Sequence, residues 1–138
     1  MNRQDAKFFL VEPSPRADQR ARQVIGAAIE VHRHLGPGFL ESVYEEALAR
    51  ELRYREVPFR RQLPIGVSYK GELIGEARLD LLVDECLIVE VKAVDQLAPI
   101  HKAQVISYLR ATTLQLGLLL NFNVPQLLQG MKRIVLSP

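Results

Sequence analysis

Several features that would assign this chain to a particular class of protein are missing from its sequence. It has a single cysteine, Cys86, which excludes an intramolecular disulfide and a cysteine-based zinc site. It has no uninterrupted apolar run of about 18 residues, the minimum for a membrane span. Its first residues lack the basic start and apolar core of a signal peptide. We therefore expect a protein that does not span a membrane and that lies in a reducing, cytoplasmic setting.

Common catalytic signatures are missing too. The sequence contains no Ser/His/Asp order, no phosphate-cradling glycine loop and no dinucleotide fingerprint. His32 and His34 are separated by one residue on a predicted helix, so they cannot chelate one metal together.

No strong excess of charge is present, since the formal net charge is +2 at pH 7. Basic residues do cluster at 16–22, 50–61 and 132–133, although solvated helix faces are the commoner explanation for any one cluster. The chain has 138 residues, enough for one domain with a real core. We expect a single domain over residues 16–138, preceded by a tail or extended arm over 1–15.

Hydrophobic spacing predicts the order helix, helix, three strands, helix and strand, with a possible last strand. The predicted helices cover about 19–35, 40–55 and 98–112, and the predicted strands about 62–69, 72–83, 87–94, 115–122 and 132–136. Asp18 is the expected cap of the first helix. This order is typical of the α/β class.

The most informative segment is 78–93, which reads as two buried strands interrupted by Asp80, Glu90 and Lys92. A charge inside a sheet core is costly unless it is paired or coordinates a metal. Glu90 and Lys92 are two residues apart, so they project from the same face of a strand. A carboxylate pair with a neighbouring lysine is what a magnesium-dependent phosphodiester hydrolase needs.

The hairpin register decides whether Asp80 joins Glu90. A two-residue turn would send the two carboxylates to opposite faces, whereas a three-residue loop over 84–86 pairs Val83 with Leu87 and Asp80 with Glu90. The three-residue loop places two sets of side chains on opposite faces: Asp80, Leu82, Ile88, Glu90 and Lys92 on one, and Leu79, Leu81, Val83, Leu87, Val89 and Val91 on the other. Both faces are largely apolar, which predicts a sheet covered on both sides.

Polar groups on two helices could face the same site. Glu41 lies in the first turn of the second helix, where an acid alone is more often explained by the helix dipole. Gln104 and Tyr108 are i, i+4 neighbours on the third helix, on one stripe with His101. Glu45 and Glu46 are interpreted as a solvated helix face.

Taken together, these motifs resemble a known group of proteins. The segment 38–44, with Gly38, Glu41 and Tyr44, spells the signature of the GxxExxY protein family. Asp80 followed by Glu90-Val91-Lys92 resembles the motif of the PD-(D/E)XK nuclease superfamily. Further matches lie at 80–83, 88–93, 104–109 and Asn121-Phe122. Leu79 stands where the superfamily usually has proline, a position that varies widely within it.

The resemblance implies a restriction-endonuclease-like core, in which helices flank a small mixed sheet. It implies that Asp80 and Glu90 are ligands of Mg²⁺ or Mn²⁺, with Glu41 bound directly or through water. It also implies that Lys92 holds the attacking water or the scissile phosphate. Gln104 and Tyr108 resemble a glutamine-tyrosine motif that contacts the metal shell or the substrate.

The expected activity is metal-dependent hydrolysis of nucleic acid. DNA is expected as the substrate before RNA. A homodimer is a further expectation. A backbone carbonyl, for which Val91 is placed, completes the expected oxygen ligands. Two alternatives stay open. One is a non-catalytic module that binds nucleic acid or protein on the same scaffold. The other is a structural ion-pair network between Lys92 and the acids, without affinity for divalent metal.

Overall fold

The computed structural model describes residues 13–136, which form three α-helices, five strands and one short 3₁₀ helix. The helices are α1 (Pro15–Leu35), α2 (Glu41–Tyr54) and α3 (Pro99–Thr112). The strands are β1 (Phe59–Tyr69), β2 (Glu72–Val83), β3 (Leu87–Lys92), β4 (Leu116–Asn121) and β5 (Met131–Val135), with the 3₁₀ helix at Leu127–Gly130. The predicted order is confirmed, including the last strand. None of the helices in this part of the chain is long and apolar enough to cross a membrane.

The five strands form one mixed sheet in the order β1-β2-β3-β4-β5. β3 and β4 are parallel, and every other neighbouring pair is antiparallel. A parallel pair needs a long crossover between its strands, and α3 supplies it. This architecture confirms the predicted α/β class, with helices flanking a small mixed sheet.

The two faces of the sheet pack into separate cores, as the sequence predicts. On one face α1 and α2 cover the side chains of Leu81, Val83, Leu87, Val89 and Val91. On the other face α3 packs Val105 and Leu109 against Leu79, Leu82, Ile88 and Leu119. Cover on both faces explains why β3 and β4 are almost entirely apolar.

Leu79 lies on the opposite face from the one predicted for it. The sequence places it beside Leu81, but it packs in the core under α3. Gln62 is skipped in the pairing of β1 with β2, in which Arg61 pairs with Leu81 and Leu63 with Leu79. Its φ of +50° makes β1 irregular opposite Asp80. The strict alternation of faces is therefore broken at Asp80.

The first helix begins earlier than predicted. The hydroxyl of Ser14 accepts a hydrogen bond from the backbone N–H of Ala17 at 3.1 Å, and Pro15 occupies the first turn. Serine followed by proline is a favourable helix start, which replaces the predicted cap at Asp18. Asp18 instead forms ion pairs with Arg22 and Arg133. Residues 1–12, most of the predicted tail, lie outside the described residues.

The loop between β2 and β3 has the three-residue form that the sequence favours. Val83 pairs with Leu87, so the predicted register is correct. Asp84 and Glu85 adopt positive φ values of 49° and 57°, positions that usually select glycine or asparagine. Asp84 is held by Arg16 and Arg20, and these ion pairs compensate for the missing glycine.

Candidate functional site

Asp80 and Glu90 lie where the backbone ladder between β2 and β3 ends. The last regular pair is Leu81 with Val89. Beyond it the backbone N–H of Asp80 donates to Oε2 of Glu90 at 2.9 Å, and the N–H of Val91 donates to Oδ2 of Asp80 at 2.8 Å. Each carboxylate is therefore held by the main chain of the opposite strand. The structure brings the two acids together.

Burial makes this carboxylate pair electrostatically costly. Glu90 is only 3% exposed, and its burial together with repulsion from Asp80 raises its pKa to about 8. The pKa of Asp80 is also raised, chiefly by burial and further by the charge of Glu45. Two adjacent carboxylates with limited access to solvent disfavour each other's ionised form unless a cation balances them.

Lys92 lies close to these acids but does not pair with them. Its Nζ donates to Oε1 of Gln104 at 3.0 Å, and within residues 13–136 it forms no ion pair. Its charge only partly offsets the rise in the pKa of Asp80 and Glu90. This geometry gives no support to a structural ion-pair network between Lys92 and the acids.

Helix α3 supplies two polar side chains to the site. Gln104 accepts the hydrogen bond from Lys92. Burial raises the pKa of Tyr108, and the negative charges of Glu90 and Asp80 raise it further. His101, on the same predicted stripe, does not join them. Its Nδ1 accepts a hydrogen bond from the N–H of Ala98 at the start of the helix.

Glu41 lies at the rim of the site. It is the first residue of α2 and is exposed. Its pKa is raised mainly by partial burial and also by repulsion from Asp80 and Glu45, while Lys92 offsets part of the rise. These influences place the carboxylate of Glu41 within electrostatic reach of both Asp80 and Lys92.

Tyr44 anchors the loop that leads into Glu41. Its buried hydroxyl donates to the carbonyl of Gly36 at 2.5 Å and accepts from the N–H of Phe39 at 3.1 Å. Its ring stacks on Phe122, with centroids 4.7 Å apart. The N–H of Phe122 in turn donates to the carbonyl of Lys92 at 2.9 Å. The tyrosine of the 38–44 motif thus joins the loop before α2 to the end of β3.

Glu45 is a buried member of this region that the sequence analysis placed wrongly on a solvated helix face. It is 7% exposed and accepts hydrogen bonds from Arg61 at 2.8 Å and from Gln62 at 2.9 Å and 3.0 Å. Its spacing carried the signal, because Leu48, Ala49 and Leu52 follow it at i+3, i+4 and i+7 and are all buried.

Gln62 is a second contributor, and no motif or spacing in the sequence marks it. Its side-chain amide bonds to Glu45 and approaches Oδ1 of Asp80 at 3.4 Å. Its backbone lies in the left-handed region, where glutamine is uncommon. The irregularity of β1 thus turns this amide toward Asp80.

The residues present fit a divalent cation of the magnesium type. Among residues 13–136 no group of three or more His, Cys, Asp or Glu side chains is arranged to hold a metal ion. Mg²⁺, however, is commonly bound through one or two carboxylates and keeps several waters. Oε2 of Glu90 accepts one hydrogen bond, and no described residue donates to its Oε1. A carboxylate pair of one buried and one partly buried acid, with an oxygen that accepts no hydrogen bond from the described residues, suits such a cation.

The backbone carbonyl of Val91 points to the same side as Asp80. The carbonyl of Lys92 accepts from Phe122 and so points toward β4. Successive residues of a strand direct their backbone groups to opposite edges, so the carbonyl of Val91 points toward β2. The N–H of Val91, which donates to Asp80, lies on that same edge.

Comparison with known proteins identifies the family. A family model described as the PD-(D/E)XK nuclease superfamily matches residues 18–134, which include every site residue described above. The chain belongs to the PD-(D/E)XK nuclease superfamily. No curated protein and no solved structure gives a significant match.

The PD-(D/E)XK motif corresponds to a defined piece of this fold. The residues that resemble it lie on adjacent strands, Asp80 in β2 and Glu90-Val91-Lys92 at the end of β3. Leu79 replaces the proline of the motif name and is fully buried in the core under α3. The scaffold of this chain is therefore that of a PD-(D/E)XK nuclease.

Proposed function

We propose that this protein is a divalent-metal-dependent nuclease that hydrolyses phosphodiester bonds. The observation that carries the proposal is the pair of carboxylates at Asp80 and Glu90 beside Lys92, in a chain of a nuclease superfamily. Glu90 is buried and Asp80 is partly buried. Such a pair costs stability, and a scaffold without chemistry gains nothing from keeping it.

Asp80, Glu90 and the carbonyl of Val91 are the proposed ligands of Mg²⁺ or Mn²⁺, with Glu41 bound directly or through water. When bound, such a metal lowers the pKa of a coordinated water and neutralises charge on the phosphoryl oxygens. The assignment of Glu41 is supported by its position at the rim of the site, where the charge of Asp80 contributes to its raised pKa.

Lys92 is proposed to bring a positive charge to the attacking water or the scissile phosphate. Its ammonium group is held by a neutral amide, Gln104, so its charge is not cancelled by an ion pair. Tyr108 lies beside both carboxylates and can donate a hydrogen bond from its phenol. We propose Lys92, Glu41, Gln104 and Tyr108 as the residues that contact substrate or its attacking water.

We also propose finer assignments that rest on the sequence motifs. The spacing of Gly38, Glu41 and Tyr44 supports membership of the GxxExxY family. Tyr44 has a clear structural role in this segment.

DNA is the proposed substrate before RNA, and the cytoplasm is the proposed compartment. A homodimer would suit cleavage of both strands of a duplex. Light scattering at several protein concentrations tests the dimer.

The function is tested by incubating the protein with end-labelled DNA and RNA, single- and double-stranded, in EDTA, Mg²⁺ or Mn²⁺. We expect metal-dependent cleavage by the wild type and by Glu76→Gln, an exposed acid outside the site. Asp80→Asn and Lys92→Ala should lower the rate by at least about 100-fold, the effect of removing one group that stabilises a transition state. A folded Asp80→Asn protein with undiminished cleavage would refute the proposal.

A non-catalytic module that binds nucleic acid or protein is the second candidate. It is favoured by the lack, within residues 13–136, of a group of three acids arranged around one metal position. Binding of an oligonucleotide without cleavage under any metal condition would establish this function in place of the nuclease.

A further inference from the structure

A groove of about 420 Å³ lies between the β1–β2 hairpin and the outer side of α3. Its lining residues are Gly66, Val67 and Ser68 from β1, and Ser107, Arg110 and Ala111 from α3. The lining contains one cation, two hydroxyl groups and no acid. Its electrostatic character therefore favours an anionic occupant.

Arg110 differs from every other arginine in residues 13–136. Nine of the others form ion pairs: Arg16, Arg20, Arg22, Arg33, Arg50, Arg55, Arg60, Arg61 and Arg133. Arg53 lies over the ring of Phe59, and Arg78 donates to the carbonyl of Gln62. The guanidinium of Arg110 has no such contact within the described residues. It is thus available for a ligand in the groove.

The groove lies on the same two elements, β1 and α3, as residues of the candidate nuclease site. On α3, Ser107 and Ala111 lie one turn beyond Gln104 and Tyr108. On β1, Gly66 lies four residues beyond Gln62, which is about 13 Å along the strand. Between the two ends Leu63 and Ile65 pack in the same core as Val105 and Leu109 of α3. The two elements that carry site residues are therefore also the walls of the groove.

Resting on the proposed function, we infer that this groove binds the phosphodiester backbone of the nucleic-acid strand on one side of the scissile bond. Arg110 is the phosphate ligand, because a guanidinium presents a planar fork of donors that matches phosphate oxygens. The hydroxyls of Ser68 and Ser107 donate to the same backbone from the two walls. Gly66 and Ala111 are small and leave room for the chain between them.

The test uses the full-length Asp80→Asn protein, which separates binding from cleavage. Fluorescence anisotropy measures its affinity for labelled DNA and RNA oligonucleotides at several salt concentrations. These span roughly 50 to 300 mM, the range in which counterion release changes the affinity measurably. Arg110→Ala is added to this background, with Arg22→Ala as the matched control. Arg22 is an exposed arginine of α1, which packs on the other face of the sheet, and its loss changes net charge equally.

We expect Arg110→Ala to reduce the slope of log affinity against log salt by about 1 and to weaken binding about tenfold near 0.1 M salt, while Arg22→Ala changes neither. Arg110→Lys should restore much of the slope, and Ser68→Asp should weaken binding by placing an anion in the groove. Circular dichroism and heat unfolding show that each variant is folded.

Three results would overturn the inference in different ways. Equal slopes for Arg110→Ala and Arg22→Ala, with binding otherwise intact, would remove the groove as a backbone site and leave the nuclease proposal standing. If Arg110→Ala lowers the melting temperature without changing binding, then Arg110 stabilises α3 by interacting with its helix dipole instead. No binding of any oligonucleotide would overturn both the groove and the nucleic-acid substrate.

Discussion

The backbone N–H of Asp80 donates to the carboxylate of Glu90, while Asp80 itself accepts from the N–H one residue beyond Glu90. This reciprocal pair replaces the β-ladder at the point where β2 and β3 diverge. It satisfies backbone donors that would otherwise be orphaned by the end of pairing. It also holds two carboxylates next to each other inside the protein. The same contacts that complete the sheet therefore create the candidate site.

Glu90→Gln should stabilise the protein when metal is removed. Its pKa is raised to about 8, so at pH 7 the buried carboxyl costs folding free energy relative to the unfolded chain. Glutamine keeps an acceptor for Asp80 without the charge. In EDTA at pH 7 we expect a gain of roughly 1–3 kcal/mol, measured by urea unfolding. Glu76→Gln is the control and should change little. A less stable Glu90→Gln protein would contradict a destabilising effect of this buried carboxyl.

Tyr44→Phe should destabilise the fold while keeping its packing. The ring stacked on Phe122 remains, but the carbonyl of Gly36 and the N–H of Phe39 lose their partner. Both groups are only partly buried, so the loss of this partner costs about 1 kcal/mol. Urea unfolding measures the loss. Tyr54→Phe, at a side chain of the same helix that is 78% exposed, should be neutral. Equal effects of the two substitutions would contradict the anchoring role of Tyr44.

Asp84→Asn should reduce stability in a pH-dependent manner. Hydrogen bonds from Arg16 and Arg20 hold the pKa of Asp84 well below its ordinary value. A depressed carboxyl pKa stabilises the fold above the unfolded pKa of about 3.9, and this contribution is lost as pH falls below that value. Heat unfolding at pH 7 should show a lower melting temperature for Asp84→Asn than for wild type. The difference should shrink steadily below about pH 4. A difference that is independent of pH would exclude the ion pairs as its source.

The order of elements and the central register were predictable because they rest on apolar spacing. The runs around Leu81 and Val89 leave few ways to pair β2 with β3, and a one-residue slip would bury the wrong face. The stripe of Gln104 and Tyr108 followed from helical periodicity in the same way. These signals are local, so a single sequence carries them.

The features that the sequence did not predict depend on contacts between distant residues. The helical spacing of Glu45 signals its burial, but its partners Arg61 and Gln62 lie on β1, which the pattern of the helix does not record. Leu79 changes face because β1 is irregular at Gln62, and nothing in the local pattern of β2 records that irregularity. Tertiary packing of this kind determines the position of a side chain where the local sequence pattern does not specify it.

Calorimetric titration with Mn²⁺ tests whether Asp80 and Glu90 form a divalent-metal site. Wild-type protein, Asp80→Asn and the control Glu76→Gln are titrated after treatment with EDTA, and each is then unfolded by heat with and without metal. We expect saturable binding and a metal-dependent rise in melting temperature for wild type and Glu76→Gln, both lost in Asp80→Asn. Equal Mn²⁺ affinity in a folded Asp80→Asn protein, or no binding by the wild type at millimolar metal, would contradict the account.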